Sequence, residues 1–155
     1  MSETKKILLS KKGMKELKKD AHKLERRQEQ ALAAIRDLDG VNDHESRLER
    51  VEKLAQLEII ESELSDKQLV LASAALFPRK RDALRVALGS VVDLIDMQGH
   101  MVRYTIVDSV EANPSDGRIS AESPLGQTLL GRTIQETVQW GNSMRARKMQ
   151  LVAIH

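Results

Sequence analysis

Met14, Leu17, Ala21, Leu24, Gln28, Ala31, Ile35 and Leu38 follow one another at alternating steps of three and four residues. That spacing is the seam along which one helix lies against another, with Gln28 as its single polar member. The residues between are mostly Lys, Glu, Arg, Gln and Ala, all strong helix formers. Ser10 is placed to cap the helix, and Gly13 falls in the first turn, where its helix penalty matters least. At 1.5 Å per residue, a helix over 11–38 is roughly 40 Å long.

The seam stops at Asp39-Gly40-Val41-Asn42-Asp43, a composition that favours a turn. Apolar spacing resumes at Leu48, Val51, Leu54, Leu57, Ile60 and Leu64 and continues towards Leu71. This second seam is less regular, and a register shift is expected near Leu54 and Ala55. A short turn between two long helices makes them antiparallel neighbours. Residues 1–77 are therefore expected to form a coiled-coil finger with an acidic tip at 37–45. Aromatic residues are 2% of the chain, and Phe77, Tyr104 and Trp140 all lie at the end of the helical half or beyond it. A thin helical first half fits that distribution.

Pro78 disfavours helix in the residue before it. Residues 78–85, with Arg79, Lys80, Arg81 and Arg85, read as a charged linker. Beyond it the pattern changes to β-branched residues at period two. Strands are expected within 86–97 and over 101–110, 118–121, 138–140 and 149–154, with loops at 113–117 and 141–143. Ser123 and Pro124 suit the cap and first position of a two-turn helix that Gly131 ends. The predicted fold class is α+β: an antiparallel coiled-coil hairpin, then a β-rich domain over 86–155 with one short helix.

The chain has no cysteine, which excludes disulfides, thiolate metal sites and a cysteine nucleophile. The run Ile7-Leu8-Leu9 is too short for a signal peptide or a membrane span, so a cytoplasmic protein with no membrane partner is expected. A net charge of +2 singles out no partner. No Walker loop, zinc motif or nucleophile–base set suggests a stand-alone hydrolase. Without an aromatic platform, autonomous binding of single-stranded RNA is not expected. The lysine-rich stretch 5–23 reads as a solvated face. His44, between Asp43 and Glu45, has the chemistry of a ligand or proton shuttle, although histidine in a polar turn is more often simply solvated.

The order of long hairpin, proline linker, strands and Ser123-Pro-Leu-Gly-Gln-Thr-Leu-Leu-Gly131 resembles the GreA/GreB transcript-cleavage factors. Their N-terminal signature, Thr/Ser-x-x-Gly-x-x-x-Leu, appears as Ser10-Lys-Lys-Gly13-Met-Lys-Glu-Leu17. The segment from Ile60 to Leu69 is similar to the family's Leu-Glu-x-x-Leu-x-x-Ala pattern. The resemblance runs over residues 10–154. It departs in the hairpin, which is expected to be shorter than usual, at the tip, where the usual Asp-to-Glu spacing of three is missing, and after the Ser-Pro helix, where Gln135-Glu136 replaces the usual Gly-Asp.

The resemblance implies an FKBP-like second domain and a non-enzymatic accessory role. The finger would enter the secondary channel of bacterial RNA polymerase and stimulate the polymerase's own cleavage of backtracked RNA. Tip carboxylates would help hold the second active-site Mg2+, a hard cation that takes oxygen ligands. The protein itself would carry no cofactor. Asp39 and Asp43 are the first candidates, with Asp37 and Glu45 in reserve. Ordinary turn and helix-start chemistry accounts for the same acids equally simply. Arg36 and Arg47 are placed to meet phosphates near the nascent RNA 3′ end. Ser123, Pro124 and Leu125 would dock on a coiled coil at the channel rim, and Leu129 and Leu130 read as core. A monomer is expected. Two other readings stand beside this one: a regulator of the same fold that occupies the channel without promoting cleavage, and an FKBP-like prolyl isomerase or chaperone. The scarcity of aromatics disfavours the last.

Overall fold

The computed structural model describes residues 6–78, 84–141 and 147–155. The basic run Arg79, Lys80 and Arg81 lies outside them, as do Asn142 and Ser143 of the expected 141–143 loop. The described chain forms two compact units. One is Met14–Ala74, and the other joins Lys6–Gly13 to Ala75–His155.

The first unit is a helical hairpin. Helix α1 spans Lys11–Asp37 and helix α2 spans His44–Ser73. Every position of the first seam is buried or half-buried, with Leu17, Ala21, Leu24 and Ile35 the most enclosed. Ala21 and Leu24 pack with Leu64, joined by Ile60 and Leu71. The Gln28 amide donates to Glu61 at 3.4 Å. These pairings run in opposite directions along the two helices, so the hairpin is antiparallel.

The second seam needs a correction over its first half. Leu48, Val51 and Leu54 are exposed, and burial on α2 begins at Leu57. Counting back from Leu64 and Leu57 at heptad steps gives Lys53, Arg50 and Ser46 as the inward line. Near the tip the polar residues hold the seam positions and the apolar residues do not. Helix α2 also stops earlier than Phe77, because Ala74–Leu76 is a strand.

That strand, β2, pairs with β1 (Ile7–Leu9) in a small two-stranded sheet. Neither three-residue run carries a strand signal of its own in the sequence. The larger sheet contains β3 (Val91–Asp96), β4 (Met101–Val107), β5 (Arg118–Ser120), β6 (Thr137–Trp140) and β7 (Arg147–Ile154), in the order β5-β4-β3-β7-β6. All neighbours are antiparallel except β4 and β5. The strand expected over 101–110 ends at Val107, and Ser109–Glu111 is a 3-10 turn capped by the Asp108 carboxylate. Pro114–Asp116 forms a second such turn inside the expected loop.

The alternation of the strands sets which residues meet. Leu94 pairs with Val102 on one side and Leu151 on the other. Together with Val92, Ile106 and Val138 they make an apolar face, covered by Leu129 of helix α3 (Pro124–Leu129) and by Val86. Leu130, read as core, is 39% exposed, because the helix has already ended and the chain turns away there.

On the other face Asp93 accepts from Arg103 Nε at 2.7 Å and lies 3.1 Å from His155 Nε2. The Arg103 guanidinium first, and the His155 imidazole second, hold this carboxyl at about 2. An ordinary unfolded aspartate titrates near 3.8, so the unfolded chain takes up this proton first as the pH falls. The stabilisation is complete above about pH 4 and is lost between there and about pH 2. Asp93→Asn is expected to flatten that part of the acid limb. Urea titrations followed by Trp140 fluorescence across this range check it, and an unchanged limb would contradict it.

Gln135 is the one non-glycine residue described with a positive φ, 73°. It occupies the left-handed region that costs an L side chain roughly 1–2 kcal/mol. Its amide is committed there by a 2.6 Å hydrogen bond to the Leu151 carbonyl. Gln135→Gly is therefore expected to raise stability by about 1 kcal/mol, visible as a higher denaturant midpoint with unchanged slope.

Candidate functional site

The tip of the hairpin is the turn 38–43 with the helix ends on either side. Gly40 takes φ 86°, a conformation suited to glycine, and lets the chain reverse. Val41 amide bonds back to the Leu38 carbonyl at 3.3 Å, closing the turn. Asp37, Asp39, Asp43 and Glu45 are all exposed.

The four acids have different surroundings. Asp43 is the N-cap of α2: its carboxylate accepts from the Ser46 amide at 2.7 Å and from the Ser46 hydroxyl at 3.0 Å. The Ser46 amide, and then its hydroxyl, hold the Asp43 carboxyl below its ordinary value. It is a fixed anion pinned against the helix start. Asp39 lies 2.7 Å from Arg50 Nη1, both side chains about half exposed. An exposed pair of this kind contributes about 1 kcal/mol or less, so another cation can displace Arg50 easily. Asp37 closes α1, and Glu45 sits in the first turn of α2, where a negative charge suits the helix dipole. Neither has an ion-pair partner among the described residues.

Arg36 is in the last turn of α1 and Arg47 in the first turns of α2. Both are exposed and unpaired among the described residues. The tip thus offers anions and cations together. His44, the first residue of α2, is exposed. No group of three His, Asp or Glu that could hold a metal occurs among the described residues. The carboxylates are the hard donors Mg2+ takes, but the tip has the makings of one or two ligands, not of a closed site.

In the second unit, each residue of the Ser-Pro segment has a definite structural task. The Ser123 hydroxyl donates to the Ser120 carbonyl at 2.6 Å and accepts from the Gly126 amide at 3.0 Å, capping α3. Pro124 opens the helix and is exposed. Leu125 is half-buried against the apolar core. Of the three docking candidates, Pro124 is thus the one turned to solvent. Elsewhere in this unit, Tyr104 and Trp140 line a cleft of about 560 Å3 with Val102 and Met149. Phe77 is not part of it and lies against Gly89 instead. The cleft therefore holds two rings, fewer than the isomerase reading asks for.

Sequence reasoning missed the partners of Asp39 and Asp43. The Asp43-x-x-Ser46 spacing at a helix start did signal a cap. The Asp39–Arg50 pair had no such signal, because it depends on how the two helices meet at the turn. No described helix is long and apolar enough to cross a membrane.

The family model described as transcription elongation factor GreA/GreB, C-terminal, matches residues 81–155. A transcription elongation factor GreA of Clostridioides difficile is 35% identical over 142 residues, covering 90% of this chain and 89% of the relative. One from Halalkalibacterium halodurans is 31% identical over 142 residues, covering 89% of each. The solved structure of the GreA factor homolog 1 (Gfh1) protein of Thermus thermophilus is 24% identical with a TM-score of 0.45, covering 97% of this chain and 99% of that one.

Proposed function

Because the chain belongs to the GreA/GreB family of transcription elongation factors, we propose that it acts on bacterial RNA polymerase by entering the secondary channel with its helical hairpin and stimulating the polymerase's own cleavage of backtracked RNA. The observation that carries this reading is the tip. A hairpin with a 27-residue first helix ends in a turn that presents exposed carboxylates beside unpaired arginines.

A helical pair is stiff and narrow, so it can deliver side chains to a recessed site at a set distance. The Mg2+ belongs to the polymerase and would supply the polarisation of water and phosphate. This chain's part is to bring oxygen ligands and positive charge to it. Asp39 can leave Arg50 at small cost, while Asp43 stays fixed by Ser46. Arg36 and Arg47 would neutralise phosphates near the RNA 3′ end. Pro124, with Ser123 and Leu125 shaping the helix start around it, is the docking residue for the rim. The protein works as a monomeric accessory in the cytoplasm and carries no cofactor of its own.

One observation favours a second reading. Asp39 and Asp43 both have partners within the chain, so the hairpin could fill the channel and slow the polymerase without donating a ligand. A backtracked polymerase with 3′-labelled RNA and Mg2+ separates the two. The cleavage reading expects rapid release of short 3′ fragments when the protein is added. Slower elongation with no fragment release would support the channel-filling regulator, and no effect at all would remove the polymerase as partner.

A further inference from the structure

The outer side of α2 near the tip is apolar where it faces only solvent. Leu48, Val51 and Ile59 are 59%, 66% and 61% exposed. With Ala55 they recur at three- and four-residue steps, which places them on one side of the helix. The inward line is opposite. It runs from Leu57 through Lys53, half-buried, and Arg50, paired to Asp39, to Ser46. This stretch of helix puts its polar residues towards its partner helix and its apolar residues out, the reverse of what folding the hairpin requires. Exposed apolar surface held this way marks a contact with another molecule.

Charge and size select the occupant. Glu45, Glu52 and Glu58 border the stripe and have no ion-pair partner among the described residues; Arg47 is the lone cation on that border, at its tip end. A rim of net negative charge repels the phosphates of RNA or DNA. Two copies laid stripe to stripe would set the same carboxylates against one another. The stripe is also small. From 48 to 59 it runs roughly 16 Å along a helix about 10 Å across, an area far below the about 800 Å2 per partner that a stable interface buries. It suits a contact added to a complex already held elsewhere.

We propose that this stripe is a lateral docking surface for a protein wall that presents apolar side chains between lysines and arginines, met when the hairpin is inserted in the polymerase. The inference rests on the functional reading above and adds to it which flank of the finger meets protein.

The test is the affinity of the full-length protein, labelled at its N-terminus, for purified bacterial core RNA polymerase. Val51→Gln/Ile59→Gln puts a better helix former at two exposed positions, so the hairpin should melt no lower than in the wild type. It is expected to bind at least tenfold more weakly. Glu52→Gln/Glu58→Gln should also bind more weakly and with a shallower salt dependence. Unchanged affinity of the first variant would overturn the proposal. Tighter binding of the second would overturn it too, by showing an acidic occupant such as nucleic acid. A wild-type dimer in sedimentation that Val51→Gln/Ile59→Gln abolishes would assign the stripe to a second copy instead. A wild type with no affinity for the polymerase would remove the functional reading itself, and this inference with it.

Discussion

Alanine at position 126 is expected to unfold the β-rich unit at temperatures the wild type tolerates. Inside a helix, Gly→Ala ordinarily stabilises by about 1 kcal/mol, because alanine loses less backbone freedom. Here the added methyl would sit 2.0 Å from the Ser120 carbonyl oxygen and 3.0 Å from the Ala121 Cα. Both are backbone atoms. The Ser120 carbonyl also receives the Ser123 hydroxyl and amide, so moving it would disturb the cap of α3. Overpacking of a fixed site typically costs about 1–3 kcal/mol, and a clash this close belongs at the upper end or beyond. That corresponds to a fall of more than about 10 °C in melting temperature for a domain of this size. Trp140, the only tryptophan, packs against this core and reports the transition. Gln127→Ala, one residue further on the exposed side, should melt with the wild type. A Gly126→Ala protein as stable as its parent would show that α3 does not lie against β5 as described.

Glu111→Ala is expected to be at least as damaging, for an electrostatic reason. The Glu111 side chain is 2% exposed and ion-paired at 3.5 Å with Arg118, itself 9% exposed. It also accepts from the Ser10 amide at 2.7 Å and from the Ser10 hydroxyl. The Ser10 hydroxyl in turn accepts from the Gly13 amide at 3.0 Å. One buried carboxylate therefore holds the start of α1 within the second unit. Removing it takes one carboxylate from the enclosed Arg118 guanidinium, which keeps Asp116 at 3.0 Å. Breaking a buried pair from one side costs about 3–5 kcal/mol. Glu111→Gln keeps an acceptor for Ser10 and should lose less. Denaturant titrations of the three proteins, read at Trp140, give the ordering wild type, Gln, Ala; equal midpoints would mean the cluster contributes nothing.

The same cluster marks the limit of what could be read in the sequence. The first seam, the turn and the Ser123 cap were legible because each is set by residues within a few positions of one another. Glu111 and Ser10 are 101 residues apart. Nothing local shows that the glycine of Ser10-x-x-Gly13 is there for a carboxylate, yet a methyl on Gly13 would come within 2.6 Å of the Glu111 Oε1. Likewise Ile7–Leu9 and Ala74–Leu76 are each too short to declare themselves, and only their pairing makes them strands. The second seam misled for a different reason. Leu48, Val51 and Leu54 carry helical spacing, but spacing says only that residues share a face, not which face is covered. At the tip, the acids were visible while their partners were not, so their roles separate only in three dimensions.

That separation shapes the decisive experiment. Replacing Asp43 by alanine would remove a charge and a helix cap at once. Asp43→Ser retains a capping oxygen for the Ser46 amide, and Asp39→Asn retains the shape of the side chain, so both remove charge with little structural change. The measurement is the rate of 3′ fragment release from a stalled, backtracked polymerase with Mg2+, for wild type and for Asp39→Asn/Asp43→Ser, after confirming equal binding. The account predicts release by the wild type and a loss of roughly 10–100-fold in the variant, the scale on which groups tuning a metal site act. Equal rates in the two proteins would contradict the assignment of these carboxylates, and no release by the wild type would contradict the cleavage function.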